Sequence, residues 1–97
     1  MGLGLPFNIA SYALLVHIVA KICGLEVGEL VFSGADVHIY ENHLDHLEEM
    51  LSRDARPLPT LSFPAIDSLS DLRLLKATDF HLDGYDPHPT IKLSMAV

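Results

Sequence analysis

The chain has 97 residues, 49% of them hydrophobic and 20% charged, with a mean hydropathy of +0.31 and a formal net charge of −7. That balance excludes a disordered tail, which pairs low hydropathy with high charge, and it opposes nucleic-acid binding through phosphate contacts. So short a chain has little interior in which to hide that much apolar surface, and part of it is expected to meet another polypeptide.

The first expected element is a helix from Pro6 to Cys23. Pro6 suits a first helical position, where its missing N–H does no harm, and Gly24 suits a left-handed C-terminal cap. The length approaches that of a membrane span. However, Asn8, Ser11, His17 and Lys21 interrupt the apolar run, and neither a basic leader nor a small-residue cleavage site accompanies it. A helix apolar on nearly every side reads instead as the core helix of a globular fold, with no membrane partner. His17 is then expected as a hydrogen-bonded core residue. Cys23, the single cysteine, excludes an internal disulfide and a cysteine-based zinc cluster. At the end of an apolar helix it reads as a buried thiol, packed as a small hydrophobe in a reducing, cytoplasmic compartment.

Next, "GELVFSGADVHIY" reads as a strand, with Gly34 marking a bulge or bend. On a strand His38 and Tyr40 share one face. Such a pair can hydrogen-bond a sugar hydroxyl, and the same spacing fits two half-buried polar residues satisfied within the fold. "ENHLDHLEEMLSR" places Leu44, Leu47 and Leu51 at helical spacing, with Glu48 and Glu49 outward and Arg53 just past the end. His43 and His46 there have a spacing that can ligate a metal, but no further ligands are fixed. Their acidic neighbours favour solvated surface histidines, and no metal is expected.

"DARPLPTLSFPAI" begins as extended chain and continues as an edge or irregular strand, given its three prolines. "DSLSDLRLL" allows a short helix opened by an Asp or Ser cap. "DFHLDGYDPHPTIKLSMAV" reads as strand, turn at Asp83-Gly84, then extended chain. With no repeat or linker, residues 1–97 are expected to form one compact α+β piece. "GLGLPFN" lacks the spacing and preceding strand of a phosphate-cradling loop, and no nucleophile elbow occurs.

Four stretches, "LGLPFNIASYALL", "GADVHIYENH", "RPLP" and "GYDPHPTIK", follow one another as they do in thymidylate synthases. Across essentially its whole length the chain resembles the C-terminal third of that family. The resemblance implies a fragment of the thymidylate synthase fold, a long buried helix packed on mixed or antiparallel strands with shorter helices. It also implies the family reaction, dUMP to dTMP, with 5,10-methylenetetrahydrofolate as cosubstrate. Asn8 matches the asparagine that reads the uracil ring, since a carboxamide can donate to O4 and accept from N3–H together. His38 and Tyr40 match the pair that binds the deoxyribose 3′-hydroxyl. Leu3, Gly4 and Phe7 match the segment bordering the folate site, and Ala96 and Val97 the tail that folds over the ligands.

The family's nucleophile lies in a Pro-Cys-His sequence that these 97 residues do not contain, and Cys23 does not match its position. The resemblance therefore implies no catalytic residue here and no activity unless a missing N-terminal portion supplies the thiolate and the phosphate-binding arginines. The alternative expectation is a non-catalytic remnant or a self-associating, oligomerising module.

Overall fold

Gly4 and Gly24 bracket the longest element, helix α1 (Leu5–Cys23), in the computed structural model, which describes residues 1–95. Pro6 lies in its first turn and Lys21 in its last, where a cation faces the negative end of the helix dipole. Gly24 takes φ 67°. Its N–H donates to Lys21 O at 3.3 Å and the Leu25 N–H to Ala20 O at 2.9 Å, a Schellman closure that satisfies two terminal carbonyls.

Residues 25–40 follow without regular secondary structure. The strand expected over "GELVFSGADVHIY" is not formed, and the reason is physical. A strand exists only against a neighbouring ladder, and no other segment of the described chain pairs with this one. Val31 is 81% exposed, so its apolar face is uncovered as well. The glycine bend is present: Gly34 precedes a bend at Ala35-Asp36. A Cβ on Gly34 would collide with Val37 Cγ2 and press on the Phe32 ring.

A 3₁₀ turn (Glu41–His43) leads into α2 (Leu44–Ser52). Strand β1 (Thr60–Ser62) pairs antiparallel with β2 (His81–Asp83), with Thr60 opposite Asp83 and Leu61 opposite Leu82. The Ser62 hydroxyl donates to Asp83 Oδ2 at 3.0 Å across the pair. Between the strands lies α3 (Leu69–Leu74), capped by Ser68, whose Oγ accepts from the Asp71 N–H. A second 3₁₀ turn (Ala77–Asp79) is closed where Lys76 N–H donates to Asp79 Oδ2 at 2.7 Å. Gly84, at φ 75°, makes the turn expected after β2.

The α+β class is as expected, but the interior is thin. Among the described residues only Ala20, Ile66 and His43 are buried. The radius of gyration is 16.5 Å, against about 13 Å for a compact domain of this size. The accessible surface is 8138 Å², against roughly 5500 Å² expected for 10.7 kDa. Thus α1 runs where a core helix was expected, yet Ala20 is its one buried residue. The described chain has two short strands and two short α-helices with which to cover it, too little for a helix apolar all round. Cys23, expected as a buried thiol, is exposed for the same reason.

The Gly24 closure gives a stability prediction. Gly24→Ala places a Cβ in the left-handed region and is expected to cost about 1–2 kcal/mol. Gly4→Ala, with φ −92° and open space around its Cβ, is expected to spare that loss. Urea denaturation followed by circular dichroism at 222 nm measures both, and equal midpoints for the two variants would contradict it.

Candidate functional site

Two cavities flank the N-terminal half of α1. The smaller, about 210 Å³, is walled by Gly4, Leu5 and Asn8 from the start of α1. Phe32, Gly34, Asp36, Val37 and His38 of the following loop form the other wall, and Met1 closes one side. Three residues proposed from sequence, Gly4, Asn8 and His38, therefore converge although 30 positions separate the last two. The fourth stands beside them. The Tyr40 ring lies 5.4 Å from the His38 ring, tilted by 57°. Although no strand carries them, the extended chain keeps the two rings adjacent.

The loop is pinned at His38. Its carbonyl accepts from the Met1 ammonium at 3.3 Å, and its Nδ1 lies 3.7 Å from Asp36 Oδ1. Both side chains of the His38–Asp36 pair are exposed, so this pair orients the imidazole and adds little stability. The small cavity is polar where Asn8, Asp36 and His38 meet and apolar at Phe32 and Val37.

The larger cavity, about 760 Å³, lies between α1 and the β1–β2 pair. Phe7, Ala10 and Leu14 line it from the helix, with His17 deeper along, and Leu61, Phe80 and Leu82 face them. Phe7 is thus placed on a different wall from Asn8, and its ring is 77% exposed. Leu3 is half-buried in the turn before α1. Ala96 and Val97 lie outside the described residues. His17 is half-buried on the wall of this cleft instead of sitting in a core.

His43 departs from expectation most. Expected as a solvated surface histidine, it is 1% exposed, the most buried large side chain described. Its Nε2 bonds Ser94 O at 2.6 Å. Among the described residues no group of three or more His, Cys, Asp or Glu is gathered as metal ligands would be. His43 sits three positions after Tyr40 across the 3₁₀ turn, with the two rings edge-on and their centroids 5.5 Å apart.

Cys23 cannot serve the small cavity. It follows Asn8 by 15 positions on one helix, which at 1.5 Å per residue is about 22 Å.

A family profile for thymidylate synthase matches residues 1–97. The chain belongs to the thymidylate synthase family. It is 55% identical over 96 residues to a probable thymidylate synthase of Escherichia phage T5, covering 97% of this chain and 34% of that protein. Its fold is similar to the crystal structure of thymidylate synthase from T4 phage, with a TM-score of 0.86 and 46% sequence identity. That match covers 98% of this chain and 37% of the T4 protein. The chain thus spans about a third of the length of the thymidylate synthases it matches.

The exposure of Cys23 is directly measurable. One thiol equivalent is expected to react with Ellman's reagent in the native state, at a rate within about threefold of that in denaturant, because no packed layer shields it. A native rate a hundredfold slower would return Cys23 to the interior.

Proposed function

We propose that this chain forms one wall of a thymidylate synthase active site and takes part in converting dUMP to dTMP, in partnership with polypeptide that carries the nucleophile. The observation that carries this reading is the convergence of Asn8 and His38 on one 210 Å³ cavity, with Tyr40 against His38, in a chain of this family. In it the Asn8 carboxamide, exposed in the first turn of α1, donates from Nδ2 to uracil O4 and accepts N3–H at Oδ1. Cytosine presents the reverse pattern, so Asn8 selects against it. The His38 imidazole and Tyr40 hydroxyl together address the deoxyribose 3′-hydroxyl and fix the base edge against Asn8.

The cosubstrate 5,10-methylenetetrahydrofolate, when bound, supplies the one-carbon unit and the reducing hydride. The chain's residues fit such a molecule. The Phe7 ring is exposed at the mouth of an apolar cleft, and a Cβ on Gly4 would meet nothing within 4 Å, so a flat ring can approach that backbone. Leu3, Gly4 and Phe7 would border it, with Ala96 and Val97 closing over it. Chemistry at C5 of uracil requires a thiolate at C6. No Pro-Cys-His sequence is present, and Cys23 is about 22 Å from Asn8 along α1. The chain alone therefore binds and orients but does not react. An exposed, unpaired thiol fits a reducing cytoplasmic location.

One observation favours a second reading. Phe7, Tyr12, Leu15 and Val19 leave apolar surface exposed along α1. In a chain with no catalytic duty, that surface would be covered by self-association.

Mixing this chain with the nucleophile-bearing portion of a thymidylate synthase is expected to give tritium release from [5-³H]dUMP, with none from either part alone. No release at any ratio would overturn the proposal. A stable oligomer that binds neither dUMP nor folate would replace it with the second reading. In the active mixture Asn8→Asp is expected to weaken dUMP by roughly ten- to a hundredfold, as a donor is lost and a carboxylate faces O4. It should also bring dCMP binding up toward it. Unchanged dUMP affinity would remove Asn8 from the base-reading role.

A further inference from the structure

We propose that His43 is a positioning residue that fastens the 93–95 segment to the wall bearing Tyr40, so that the two hold or lose their places together. This goes beyond the nucleotide reading and does not depend on it. The His43 ring is 1% exposed in a chain whose only other buried residues among those described are Ala20 and Ile66. Its Nε2 lies 2.6 Å from Ser94 O, across 51 positions of sequence. A carbonyl only accepts, so Nε2 is the donor, and Nδ1, buried without a partner, is the bare nitrogen.

The same residue grips Tyr40 twice. Its backbone N–H donates to Tyr40 O at 2.9 Å, and its ring meets the Tyr40 ring edge-on with centroids 5.5 Å apart. Around Nδ1 the packing leaves no room for a methyl group. A Cβ on Gly2 would lie 3.4 Å from Nδ1, 3.6 Å from Leu47 Cδ2 and 2.7 Å from Leu93 Cδ1. Side chains from three further segments, His43, Leu47 of α2 and Leu93, thus converge around Gly2, and Tyr40 and Ser94 O contact the His43 ring itself. His43 itself does not line the small cavity. It acts through Tyr40, whose ring adjoins the cavity-lining His38. An apolar side chain of equal volume would fill the space but would not fix the direction of Ser94 O. The Nε2–H bond is directional, which no contact of an apolar side chain is.

The test uses the whole chain with ¹⁵N-labelled histidine and two variants. The long-range ¹⁵N–¹H spectrum is expected to show His43 as the Nε2–H tautomer. His43→Ala is expected to raise the rate at which carboxypeptidase trims the chain back through Ser94 by about tenfold, the scale of one lost hydrogen bond. It is also expected to shift the Tyr40 ring resonances. His43→Gln restores a donor near the Nε2 position and is expected to return both readouts most of the way. A proton on Nδ1 in place of Nε2, or trimming and Tyr40 resonances unchanged in His43→Ala, would overturn the proposal. If His43→Ala unfolds the chain, His43→Gln decides: a folded variant with an untrimmed tail supports it. Equal failure of Gln and Ala reduces His43 to packing and overturns it.

Discussion

The constraint on which the rest of this structure depends is coverage of α1. A helix of 19 residues, apolar on nearly all sides, is stable in water only when most of its surface is taken up by other segments. Here the other segments are few and short, and the consequences appear throughout. The accessible surface exceeds that of a self-sufficient domain by about half. A 760 Å³ cleft opens between α1 and the two-stranded sheet, because two strands cannot wrap a helix. The loop over residues 25–40 stays unpaired. Each of these is the same deficit seen from a different side, in a chain spanning about a third of the length of the thymidylate synthases it matches.

What order the chain does have comes from directional bonds more than from a core. Arg53 donates to Pro89 O at 2.7 Å, and Arg56 donates to Pro87 O at 3.0 Å and to Asp86 Oδ1 at 3.1 Å. His88 returns a bond from its Nε2 to Asp54 O at 2.8 Å. The "RPLP" stretch and the "GYDPHPTIK" stretch are thereby laced together. Proline explains why side chains perform the lacing: a proline has no N–H to offer a neighbouring strand, so arginine donors take the carbonyls that a ladder would otherwise satisfy. The exposed ion pairs Arg53–Glu49 and Arg56–Asp86 add little energy themselves. Their value is the register they set. Stacking of Phe63 on Phe80 at 5.2 Å, with Lys21 Nζ 4.9 Å from the Phe63 ring centroid, links this half of the chain back to the end of α1.

How much of this could be read in advance divides along physical lines. Features set by local chemistry were legible: the Pro6–Gly24 frame of α1, the leucine spacing of α2, the Ser68 cap, and the Asp83-Gly84 turn all form where their residues demand. Features set by neighbours were not. The strand over residues 28–40 needed a partner ladder, and burial of α1 and Cys23 needed a covering layer. His43 failed in the opposite direction, because acidic neighbours along α2 describe one side of a helix and say nothing of Ser94, 51 positions away. For the candidate site, the same-face logic for His38 and Tyr40 survived loss of the strand that motivated it. An extended backbone with Tyr40 at φ −69° and ψ 140° still carries the two rings into contact. The meeting of Asn8 with His38 was not contained in spacing at all and entered through family resemblance.

That meeting also separates two tasks usually carried out by one surface. Recognition of a flat polar ring would need a few directional groups at fixed separation, and Asn8 at the start of α1 and Asp36 and His38 of the 32–38 loop line one 210 Å³ cavity. Covalent activation needs a nucleophile within bonding distance of that ring. The one sulfur nucleophile present, Cys23, is held about 22 Å away by the very helix that positions Asn8. No local rearrangement closes that gap, because shortening it would require breaking α1 over several turns. The helix thus both places Asn8 on the cavity wall and sets the separation of Cys23 from it. The uncovered apolar flank of α1 is the area that a second surface would bury.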